Sequence, residues 1–231
     1  MRFLALVRKE LRENLPWVLL AAIVFLAVGG FVLRDEAAHG RYTWIRADLP
    51  SESQLSWHYG TEYSSLQMVG PVLLLTAIGL GLTIGIRQFW IHYFTGTWPF
   101  LLHRSVSRET IFWAKFTAAS LGFIISTGAV WCGLYWYACR PELFIAPPTV
   151  RVFIEGWIFI LLGLVVYLGA TLVGLSRAKW YTTKIFALAF AAFIILMVFV
   201  QYRLAWAFTV IIIGVVILLS QIIDTLLKRE F

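Results

Sequence analysis

Charge is what this chain has least of. Lys, Arg, Asp and Glu make up 13% of its 231 residues, against about 25% in a water-soluble domain. A soluble core of this size has to cover itself with polar groups, so 61% hydrophobic residues beside so little charge excludes an ordinary soluble domain. Cysteine is scarce as well. Cys132 and Cys139 are the two, and helical spacing sets them about 10 Å apart, too far for a disulfide between them. They read as small buried hydrophobes. No phosphate loop of the GxxxxGK[ST] type is present. The run GLGLTIG at 79–85 has neither the Lys-Ser/Thr nor a preceding strand that a nucleotide loop needs. Gly81 and Gly85, like Ala170 and Gly174, are spaced for close helix packing.

What fills the chain instead is long apolar stretches. Six are long enough, with short links, to be spans of roughly 20 residues: 17–33, 66–86, 110–138, 152–175, 185–200 and 204–223. The last two also read as one helical hairpin. Eleven Trp, nine Tyr and eighteen Phe suit the two membrane–water boundaries, where aromatic rings collect. Ahead of the first stretch, residues 1–15 carry Phe3, Leu4, Val7, Leu11 and Leu15 at helical spacing, with Arg8, Lys9 and Arg12 off that stripe. That pattern predicts an amphipathic helix lying in the membrane surface, with Pro16 opening a new helix after it. No small-residue cleavage site follows the first apolar run, so the N-terminus is expected to be retained. The fold class is therefore all-α integral membrane, a single domain over 1–231, with six transmembrane helices after an N-terminal surface helix.

Six spans put both termini on one side, and the positive-inside rule chooses the cytoplasmic side. Of the nineteen Lys and Arg, the six at Arg34, Arg41, Arg46, Arg140, Arg151 and Arg203 then lie outside and the other thirteen inside. The net charge of +7 is thus accounted for by orientation in a bacterial-type cytoplasmic (inner) membrane, and nucleic acid is not needed as a partner. Membrane lipids are.

Candidate chemistry is sparse. Ionisable residues cluster at span ends: Arg87, Lys115, Glu155, Lys184 and Asp224. Ion-coupled transport needs a titratable or coordinating group at depth, and its absence argues against a transporter that works alone. Thr76, Thr83, Thr117, Ser126, Thr127, Thr171 and Thr209 supply polar groups within the spans. His58 and Glu62 share a helical face at i, i+4, a spacing a metal can use, but no second His accompanies them and a solvated pair accounts for them. His39, His58 and the external acids do not form a recognisable catalytic set for a lipid enzyme. No metal, cofactor or catalytic residue is assigned, and the chain is not expected to be an enzyme.

One loop stands out. From Arg87 to Arg108 it holds no acid, and Phe89, Trp90, Tyr93, Phe94, Trp98 and Phe100 make it unusually apolar. Phe89 with Tyr93, and Trp90 with Phe94, have i, i+4 spacing before Gly96 and Pro99 break the helix. Either the membrane interface or a soluble partner should cover such a surface.

Two stretches carry a resemblance. The opening LVRKELREN at 6–14, with its Lys-Glu and Arg-Glu pairs, and GTWPFLLHRSVSRETIFWAKF at 96–116 resemble the permease subunits of ABC-2 type ATP-binding-cassette exporters. The matching positions are Gly96, Thr97, Leu101, Leu102, Val106, Ser107, Arg108 and Lys115. The family often has an acid shortly before Gly-Thr and a Pro before Val-Ser-Arg. Here His92-Tyr93-Phe94-Thr95 and Ser105 stand instead. The link between the fifth and sixth spans is also short for the family's external gating helices. The resemblance implies an elbow helix over 1–15 with Arg8, Lys9 and Arg12 on the membrane surface. It implies a cytoplasmic coupling loop over 87–109 in which Phe89, Trp90, Tyr93, Phe94, Gly96, Thr97, Trp98, Arg104 and Arg108 dock a separate ATPase subunit. That subunit would carry the ATP and Mg. A second permease chain, in a homodimer, would complete a path for a hydrophobic or amphipathic substrate such as a lipid, drug or antibiotic. A membrane scaffold whose loop binds a cytoplasmic partner, without transport, is the alternative reading.

Overall fold

The computed structural model describes residues 2–47, 65–91, 107–140, 148–175, 185–200 and 203–228. Nearly all of these residues are helical, and none is in a strand. Seven α-helices are arranged as α1 (Arg2–Ala47), α2 (Ser65–Gly85), α3 (Arg108–Phe123), α4 (Ala129–Ala138), α5 (Val150–Leu175), α6 (Ile185–Val200) and α7 (Leu204–Lys228). A π turn at Ile86–Trp90 extends α2, and a second at Ile124–Gly128 joins α3 to α4 in one bent rod.

The rods run alternately up and down. Arg108 at the start of α3 donates from Nη1 to the Leu226 carbonyl at the end of α7 (3.4 Å), and Lys115 of α3 meets Glu10 of α1. The first turns of α1 and the last turns of α7 therefore lie at the same end of the bundle, called here the terminal end. At the opposite end the indole of Trp131 (α4) donates to the Phe153 carbonyl of α5 at 3.1 Å.

Helix α5 is the central pillar. Over its most apolar stretch 78% of residues are buried, against 17% in α1 and 28% in α7. It touches α2 most closely, because small residues face each other there: a methyl on Gly81 would stand 2.4 Å from the Gly163 carbonyl oxygen, and one on Gly85 2.7 Å from Ala170. The helix-packing role expected for Gly81, Gly85 and Ala170 is the one they have. The flanking helices leave large apolar side chains facing outward, among them Ile23 and Phe31 of α1, Leu196 of α6 and Ile212 and Val216 of α7. Water would not tolerate that surface, and lipid does. Among the described residues five rods are long and apolar enough to cross a membrane: Phe3–Asp35, Leu66–Trp90, Arg108–Ala138, Val150–Leu175 and Leu204–Leu227. They are the helices of a multi-pass membrane protein.

Two expectations differ from this architecture. Of the six anticipated spans, that at Ile185–Val200 has 16 described residues, about 24 Å against a ~30 Å hydrocarbon core, so six spans are not established among the described residues. The surface helix and first span are also not separated at Pro16. Helix α1 runs unbroken through it and on to Ala47, well past the expected end at 33. Pro16 is exposed; it removes one backbone hydrogen bond and crowds the Arg12 carbonyl, yet the helix continues through it. The buried side of this first segment is Val7, Glu10 and Asn14, whereas Phe3, Leu4 and Leu15 of the anticipated apolar stripe point outward. The 46-residue helix thus stands against the bundle, and its buried face is chosen by polar partners as well as by apolar ones.

Most of the hydroxyls within the spans are used locally. Thr76, Thr83, Thr117, Ser126, Thr127 and Thr209 each donate to the carbonyl four residues back, at 2.7–2.9 Å. Ser126 and Thr127 do so in succession inside the second π turn, where competition for the carbonyls of Gly122 and Phe123 accompanies a widened backbone ladder. Cys132 and Cys139 are free thiols.

Candidate functional site

The terminal end of the bundle holds a buried polar cluster built from four rods. Lys115 sits seven residues into α3, facing inward, with 2% of its side chain exposed. An apolar neighbourhood would expel an unpaired ammonium, and no acid occurs between 110 and 138. The partner comes from α1: Glu10 Oε1 lies 2.9 Å from Lys115 Nζ, itself 10% exposed. The ammonium also donates to the Gln88 backbone carbonyl at 3.3 Å and lies 5.5 Å from the centroid of the Phe89 ring. Gln88 accepts through Oε1 from the Tyr167 hydroxyl of α5 at 2.8 Å. One lysine thus fastens α1 and α3 to the first π turn, and Gln88 carries the linkage on to the central pillar.

Two side-chain groups in the cluster have no protein partner. The Asn14 amide, one turn beyond Glu10, is buried with both Nδ2 and Oδ1 unbonded, and Gln88 Nε2 is likewise unbonded. The π turn itself follows from close packing. A Cβ on Gly174 of α5 would stand 2.5 Å from Trp90 and 2.8 Å from Phe89, so this glycine lets the turn seat against α5. The Ile91 N–H reaches back five residues to the Ile86 carbonyl. Such one-residue expansions are frequent at functional positions.

The sequence-predicted loop residues fall into two groups. Phe89, Trp90 and Arg108 are described, and all three pack into the bundle. Phe89 is 1% exposed and fully in the core, which removes it from any docking surface. The i, i+4 pairing that placed it on an aromatic face assumed α-helical phase, and the π turn changes that phase. Trp90 is half-buried beside Gly174, and Arg108 is half-buried with its guanidinium on the α7 C-terminus, where a cation is favoured. Tyr93, Phe94, Gly96, Thr97, Trp98 and Arg104 lie outside the described residues, as do His58 and Glu62. Ser107, one of the matched positions, caps α3: its Oγ accepts from the Thr110 N–H at 3.3 Å. Arg8, Lys9 and Arg12 are exposed on the outer side of α1.

Glu10, Asn14, Gln88 and Tyr167 were not singled out by the sequence. The signal for Glu10 was available. It lies three residues after Val7 and four before Asn14, on the face opposite the basic residues, and Lys115 required an acid from another helix. What the cluster does is join rods. No family model matches the chain, and neither does any curated protein or solved structure.

Proposed function

We propose that the chain is the permease subunit of an ABC-2 type exporter, moving a hydrophobic or amphipathic substrate and driven by a separate ATPase subunit bound at the 87–109 loop on the cytoplasmic side. The observation that carries this reading is the fastening of that loop's first turn. Gln88 and Phe89 are held by Lys115 of α3, Glu10 of α1 and Tyr167 of α5. A push on the loop from a soluble partner would reach three rods at once through buried polar bonds. The sequence stretches 6–14 and 96–116 supply the resemblance, and the same stretches contribute Glu10 and Lys115 to the pair. The charges buried among the described residues, Glu10 and Lys115, pair with each other at the terminal end of the bundle, where they tie the loop's first turn to α1 and α3.

Purification in mild detergent from the native host tests the reading. The expected result is a soluble ATP-binding-cassette ATPase at one copy per chain, whose hydrolysis rate changes on reconstitution with the chain and which is lost with Phe94→Asp. A chain that emerges alone, under conditions where an established transporter complex stays intact, would move the reading to a scaffold.

A further inference from the structure

Helix α1 and the α3 rod enclose a groove on their outer side that the polar cluster does not use. Its volume is about 870 Å3. Leu11, Leu15 and Val18 of α1 and Ile125 of the second π turn form apolar lining, and Arg8, Lys9 and Arg12 line the same groove. No acid lines it among the described residues. Glu13 reaches Lys9 from outside the lining, at 3.6 Å, with both side chains about half exposed. Lys9 is thereby partly compensated. Arg8 and Arg12, one helical turn and ~6 Å apart, are the cations left to face an incoming anion.

Length and openness narrow the occupant. The α1 lining runs from Leu4 to Val18, and from Arg12 to Val18 it is about 9 Å long at 1.5 Å per residue, room for the first part of an acyl chain beneath a headgroup held at Arg8 and Arg12. Leu15 is 49% exposed and Ile125 58% exposed, so the groove opens sideways toward lipid. A water-soluble anion would leave this apolar lining unused, and a neutral lipid would leave two guanidiniums unused. A guanidinium pair suits a phosphate through paired N–H donors. We propose that this groove is a binding site for one anionic phospholipid of the leaflet at the terminal end, its phosphate between Arg8 and Arg12 and an acyl chain along Leu11, Leu15, Val18 and Ile125. The inference does not depend on the permease reading, since it uses no residue of the 87–109 loop.

Native mass spectrometry of the full chain, released from micelles containing phosphatidylglycerol and phosphatidylcholine of equal chain length, reads the site directly. Phosphatidylglycerol should be retained in preference. Arg8→Gln with Arg12→Gln should cut that retention about fivefold per cation, roughly 25-fold together, without lowering the melting temperature. Ile125→Trp, which fills the groove and keeps every cation, should cut retention of both lipids. Equal retention of the two lipids by the parent chain would overturn the proposal, as would a double Arg variant that binds like the parent. Displacement by glycerol 3-phosphate alone would also overturn it, by showing a site for free phosphate.

Discussion

The Lys115–Glu10 pair offers the sharpest test of the polar cluster. At 2.9 Å and an effective dielectric near 20, the gross attraction is about 6 kcal/mol. Desolvating two ions costs several kcal/mol each, so the pair as a whole adds little net stability. Removing one partner is different, because the other charge stays buried alone. Lys115→Met should cost about 3–5 kcal/mol, or roughly 6–20 °C in melting temperature for a chain of this size. Glu10→Met should cost a similar amount. The double variant, with apolar side chains of similar volume facing each other, should return to within about 2 kcal/mol of the parent. Part of that residue is the lost bond from Lys115 to the Gln88 carbonyl. The assay is thermal unfolding in one detergent for all four proteins, read as a double-mutant cycle. Single variants that melt like the parent, or a double variant that falls by the sum of the singles, would refute the coupling of α1 to α3 through this pair.

Two further tests address the frame that holds the cluster. Gly81→Ala would drive a methyl to 2.4 Å from the Gly163 carbonyl oxygen, and should destabilise by about 1–3 kcal/mol; Gly30→Ala, where a methyl meets nothing within 4 Å, should be neutral or slightly stabilising by the same melting assay. Ser107→Ala removes the acceptor for the Thr110 N–H and should cost about 1 kcal/mol, while Ser107→Asn should retain most of the parent's stability.

Much of the helix order was legible because it rests on apolar run length. The starts near 66, 152, 185 and 204 and the end at 138 fall within a few residues of the observed helices. Gly81, Gly85 and Ala170 were legible for a related reason: small-residue spacing has one main use between apolar helices. The start of the chain was misread because Pro16 was taken as a boundary. A proline inside a helix costs about 3 kcal/mol, and burial of Val7, Glu10, Asn14 and Val18 on the other face offsets that cost. Phe89 was misplaced because it lies within the π turn, whose wider winding sets it into the core, and no local pattern signals that turn. Glu10 and Lys115 are 105 positions apart in the chain. Their pairing depends on how α1 packs beside α3, information that periodicity along either helix does not contain.

The unbroken course of α1 has a mechanical consequence. A helix of 46 residues is a beam about 69 Å long, more than twice the thickness of the hydrocarbon layer it would cross. Pivoted near its middle, it converts a tilt of about 5° into a displacement on the order of 3 Å at each tip. The Glu10–Lys115 bolt lies close to one tip, so small rocking there is reproduced, in the opposite direction, on the far side of the membrane. A helix of that length, if it moves as one piece, would carry a displacement at one face of the bilayer to the other.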